Sequence, residues 1–95
     1  MNHPSLAEFE AAAGREGFDE VAERIWPANT VVETHQHPFA VKALVVAGEM
    51  WLTEGETTRH LVPGDRFELA AGEPHAERYG AAGATYWAAR RHAKR

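Results

Sequence analysis

Apolar and polar positions alternate with two different periods along this chain. In the first thirteen residues Leu6, Phe9 and Ala13 recur at helical spacing, and Ser5 followed by Glu8 forms a capping-box pair. A short helix is predicted there, with Gly14 as its stop and Gly17 loosening the chain beyond it. From Asp19 the period shortens to two. Val21, Glu23 and Ile25 alternate with Ala22, Arg24 and Trp26, and Pro27-Ala28-Asn29 breaks the run. Further strands are predicted at Thr30–Thr34, Ala40–Ala47, Met50–Thr53, Thr57–Val62, Arg66–Leu69, Pro74–Tyr79 and Ala84–Ala89. Gly48, Glu54-Gly55-Glu56, Pro63-Gly64, Gly72-Glu73 and the stretch 80–83 supply turns. Pro then Gly at 63 and 64 is the type II turn signature. Seven or eight short strands at near-regular spacing predict an all-β antiparallel sandwich or barrel.

Composition narrows the function classes. Helix–strand alternation is missing, as are the GxGxxG and GxxxxGK[ST] phosphate signatures, so nucleotide-binding α/β folds are excluded. Cysteine is absent, which removes disulfides, thiolate metal sites and a cysteine nucleophile. No apolar run approaches the length of a membrane span and no signal peptide is visible, so a cytoplasmic protein without membrane partners is expected. Net charge is −4, but four of the ten bases, Arg90, Arg91, Lys94 and Arg95, fall in the last six residues. Residues 1–89 carry six bases against fourteen acids, a net of −8. That acidic body argues against nucleic acid as a partner. The basic end reads as a solvated tail. The predicted organisation is a helical segment at 1–18, a barrel at 19–90 and the tail at 91–95.

Chemistry concentrates in the histidines, six in number. His3 and His92 lie near the ends, and His60 sits in a polar strand. His35 and His37 are two apart in a β context, so both imidazoles leave one face and can reach one metal ion. His75 comes after the turn at Gly72-Glu73, which can bring a third imidazole alongside. Imidazoles suit Fe, Zn, Ni and Cu, and Mn is a further candidate among divalent ions.

These residues resemble the two motifs of the cupin family. His35-Gln36-His37, Val41 and Gly48 match the first motif, and Gly64, Ala70-Ala71-Gly72 and His75 match the second. The likeness runs from about Ile25 to Tyr79. It departs from the family in three places: Val41 replaces the metal-binding Glu, Ala70 the second-motif Pro, and Tyr79 its Asn. The resemblance implies a small jelly-roll barrel with a short N-terminal helix, a divalent metal on His35, His37 and His75, and a homodimer with the stretch before Pro27 at its interface. Some cupins, including dioxygenases, use three histidines without the Glu, and others have lost the metal.

Parity leaves Glu33 able to share the face of His35, and Glu77 that of His75, so either could serve as an extra oxygen ligand. Tyr79 lies on the same face, and Tyr79 and Glu77 are the candidate catalytic groups. Trp26, Phe39, Val41, Phe67 and Trp87 are expected pocket walls. Three neutral imidazoles leave a divalent ion its full charge, which favours a small anionic partner. The sequence therefore supports two readings: a metal-dependent enzyme, dioxygenase-like, binding or oxidising a small anion, or a non-catalytic small-molecule sensing domain, with or without metal.

Overall fold

The structure, a computed structural model, describes residues 3–92. Helix α1, Leu6–Arg15, is capped by Ser5, whose hydroxyl accepts from the Glu8 amide at 3.1 Å while the Glu8 carboxylate accepts from the Ser5 amide at 2.8 Å. Gly14 does not stop the helix. The chain leaves it at Gly17, where φ is +89°, and the Phe18 amide donates to the Ala13 carbonyl at 3.0 Å. This is a Schellman-type termination, which needs the left-handed residue just past the last turn rather than within it.

Six strands come next, all paired antiparallel: β1 Glu20–Trp26, β2 Val31–His35, β3 Phe39–Glu54, β4 Thr57–Leu61, β5 Arg66–Leu69 and β6 His75–His92. The path β1-β6-β3-β4 is completed by β2 on β6 and β5 on β3. The two long strands are each longer than the sequence predicts. Gly48 and the 80–83 stretch do not turn the chain; they lie within β3 and β6. Register slips beside Gly48, and a Cβ there would sit 2.1 Å from the Gly83 carbonyl oxygen. Glycine thus marks a close crossing of two backbones and the bend that curls the sheet. Three turns form as expected, one of them at Gly72-Glu73, where the Glu73 amide donates to the Ala70 carbonyl at 3.1 Å and Gly72 has φ +77°. The Asp65 amide donates to the Val62 carbonyl across Pro63-Gly64, with Gly64 at φ +98°, and β3 turns into β4 through Gly55-Glu56. Strand β6 continues through Arg91 and His92, whose amide donates to the Asp19 carboxylate at 2.7 Å, so these two residues are strand rather than loose tail.

Alternation sorts the side chains into two apolar layers. Val41, Ala43 and Val45 of β3 and Ala84, Tyr86 and Ala88 of β6 point into the barrel with Met50, Leu52 and Phe67. Leu44, Trp87 and Ala89 point outward and are covered by Phe9 and Ala13 of α1. The helix is therefore a lid on the outer face of the sheet, and the barrel mouth stays clear of it.

Candidate metal centre

His35 ends β2 and lies directly opposite His75, which opens β6. His37 sits in the connection to β3, held by the Gly72 amide donating to its carbonyl at 2.8 Å. Ring centroids are 4.3 Å apart for His35–His75, 4.8 Å for His37–His75 and 5.4 Å for His35–His37. One ring nitrogen from each lies within 4.8 Å of the other two. In two of the three the far nitrogen is tied down: Nδ1 of His35 is 3.0 Å from the Glu33 carbonyl, and Nδ1 of His75 is 2.9 Å from the Glu73 carbonyl. A carbonyl can only accept, so both imidazoles carry the proton on Nδ1 and present the Nε2 lone pair. His75 is buried, and its Nε2 has no hydrogen-bond partner among the described residues. Burial pushes the proton affinity of His37 down, as does repulsion from His75 and His35 whenever they carry protons, which favours its neutral, ligating form. A lone pair stranded in the interior, with two more imidazoles beside it, is the donor set a divalent ion satisfies.

No protein-family model matches the sequence, and no curated protein matches it significantly. Solved structures do. The cupin domain of Cnp3 from Schizosaccharomyces pombe is 13% identical, over 80% of this chain and 57% of that one, with a TM-score of 0.71. The DMSP lyase DddQ from Ruegeria pomeroyi is 30% identical over 77% of this chain, with a TM-score of 0.67. Oxalate decarboxylase from Bacillus subtilis, an enzyme with Mn(II) centres, is 19% identical over 76% of this chain, with a TM-score of 0.69. This is a cupin barrel. The chain spans 39% of the lyase and 20% of the decarboxylase.

Within the cupin barrel Val41, at the first-motif Glu position, is buried and lines the cavity next to the histidines, as parity requires. A carboxylate does lie beside the histidines, that of Glu77. Its side chain is buried, with Oε2 3.5 Å from Nε2 of His75 and 3.8 Å from Nε2 of His35. Its other oxygen, Oε1, accepts a short hydrogen bond from the Tyr79 hydroxyl. Burial raises the Tyr79 pKa far above the ordinary phenol value, and the neighbouring Tyr86 and Glu77 raise it further, so Tyr79 stays a neutral donor. Tyr79 stacks on Trp26 at 5.1 Å, and the Trp26 indole donates to the Tyr86 hydroxyl at 3.4 Å.

Glu33 does not join the site. Four residues of β2, Val32 to His35, face only three of β6, Glu77 to His75. This bulge reverses the parity, and Glu33 is exposed in an outer groove with Thr34, Trp51 and Arg78. Trp87 is likewise not a pocket wall. It faces outward against Phe9, and its neighbour Tyr86 takes the inner position. Trp26, Phe39, Val41 and Phe67 do line the cavity, which encloses about 130 Å³. Tyr86, Arg24 and Arg90 line it too, none of them among the pocket residues expected from the sequence. The alternation that turns Trp26 inward does the same for Arg24, two residues earlier. Arg90 shares the parity of Tyr86 and Ala88, a signal masked by the run of bases in which it sits.

Proposed function

We propose that His35, His37 and His75 hold one divalent metal ion, with Glu77 as an oxygen ligand in reach, and that the protein binds and transforms a small anionic molecule there. The observation that carries this reading is the buried, unpartnered Nε2 of His75 beside two imidazoles whose tautomers are fixed or favoured for ligation. When bound, such an ion polarises an oxygen of its ligand as a Lewis acid.

The chain's own residues do the rest. Carbonyls of Glu33 and Glu73 orient two imidazoles and keep their protons off the ligating nitrogens. Tyr79 engages one oxygen of Glu77, which turns the other toward the histidines. That makes Tyr79 a positioning residue. Trp26, Phe39 and Phe67 supply apolar wall to the cavity beside the histidines. With Glu77 in the set, a divalent ion retains one unit of net positive charge rather than the two expected from three imidazoles alone. The site remains anion-attracting, and it no longer depends on the three-histidine chemistry of dioxygenases. Oxalate decarboxylase, with its Mn(II) centres, supports a metal-dependent reaction of this kind.

The test is a metal titration of chelator-stripped protein followed by thermal unfolding. Mn, Fe, Zn, Ni or Cu at excess should raise the midpoint of the native protein by several degrees, as linkage demands for ligand far above its Kd. His75→Ala should abolish the rise. A rise of equal size in His75→Ala would refute the assignment.

A further inference from the structure

The cavity under the histidines carries two cations that metal binding does not use. Arg24 from β1 and Arg90 from β6 both line it and are partly buried. The guanidinium of Arg24 lies 5.1 Å from the ring centre of Trp26, and that of Arg90 4.9 Å from the ring centre of Phe39. Among the described residues neither is within 4.0 Å of a carboxylate, although the chain has fourteen acids. The cavity's own acid, Glu77, accepts from Tyr79 through Oε1, and its Oε2 lies 3.5 Å from Nε2 of His75. The cavity walls therefore carry two guanidiniums against one carboxylate. Partly desolvated charge left without a counter-ion is costly, so the arrangement is built for an anion supplied from outside.

Position and size narrow the ligand. Phe39 stacks on His37 at 4.5 Å and also carries Arg90, so the Arg90 fork adjoins the metal cluster across one ring. The cavity, about 130 Å³, is close to the ~150 Å³ that accommodates a benzene ring, which has six heavy atoms. A planar guanidinium matches a carboxylate with two parallel hydrogen bonds. We propose that Arg90, assisted by Arg24, is the anion-binding wall of this cavity and that its ligand is a small carboxylate of about six or seven heavy atoms, lying between Arg90 and the histidines. This rests on the cavity's being the ligand site of the proposed function, and not on which metal it holds.

Calorimetric titration with malonate and with its uncharged isostere malonamide tests the inference, on metal-loaded and on chelator-stripped protein, with metal content measured in parallel. Malonate should bind at least about tenfold more tightly than malonamide, and Arg90→Gln should weaken malonate at least about tenfold while keeping its metal. Arg90→Lys should restore part of the affinity, and Arg24→Gln should give a smaller loss. Absence of malonate binding, equal binding of the two probes, or native malonate affinity in Arg90→Gln would overturn the inference and leave the metal assignment standing. Arg90-dependent malonate binding by a protein that takes up no metal would support the inference and refute the metal.

Discussion

Glu77 shows how little of a site a single residue's identity settles. Its parity with His75 is visible in the sequence, as is that of Glu33 with His35, and nothing in composition separates the two. The separation comes from a one-residue bulge in β2, which no hydrophobic pattern announces because the residues around it, Glu33 and Thr34, are both exposed. The three histidines are legible because motif spacing survives such bulges. Two measurements belong to this scale. Tyr79→Phe keeps the ring that stacks on Trp26 but leaves Glu77 Oε1 without its donor in a buried place, so denaturant unfolding should show a loss of about 1–3 kcal/mol. An unchanged midpoint would mean that Glu77 does not depend on this hydroxyl. The second concerns pH. His37 resists protonation in the folded state more than in the unfolded chain, so the unfolded state takes up more protons as pH falls through the ordinary histidine range near ~6.5. Stability of the metal-free protein should decline from about pH 6.5 downward, and His37→Gln should flatten that decline.

At the level of elements, glycine is the residue most open to misreading. Gly14, Gly48 and the glycines of 80–83 all look like punctuation, yet each lies inside an element. Gly48 and Gly83 serve close packing instead: both have positive φ, and a Cβ on Gly83 would meet the Trp26 carbonyl oxygen at 2.2 Å. Period-two alternation predicts the inner residues well on both sides of these positions and cannot reveal that strand pairing runs through them. Gly83→Ala should therefore cost several kcal/mol, about the size of a large core truncation, because backbone cannot move aside as a side-chain tip can. An alanine variant with native stability would show that the crossing has room for a methyl group. The helix tests the opposite face. Phe9 is buried against Leu44 and Trp87, so Phe9→Ala should cost about 3–5 kcal/mol without changing affinity for metal. A large loss of metal affinity in that variant would place the helix in the site.

For the molecule as a whole, the informative features are an open edge and an acidic body with a basic pocket. Among the described residues strand β1 pairs only with β6, and it carries Ile25, 71% exposed, while Val31 of β2 is 66% exposed. Such an edge invites a second copy. A dimer mass is expected by light scattering at micromolar concentration, and Ile25→Asp should shift it toward monomer. A native monomer would remove the dimer expectation. An antiparallel sandwich or barrel and a short N-terminal helix are readable from spacing, whereas the jelly-roll form is what the resemblance to cupins implies. The two pocket arginines are not readable, because Arg24 alternates in its strand like any surface base and Arg90 opens a run of bases that resembles a solvated tail.

The proposed function turns on the three-histidine metal centre. Its most direct test is elemental analysis of the native chain, purified without a polyhistidine tag and dialysed to equilibrium against a divalent metal, beside His35→Ala, His37→Ala and His75→Ala. Close to one ion per native chain is expected, with a small residual fraction in each variant. Native protein that holds no ion, or three variants that hold as much as the native chain, would contradict it.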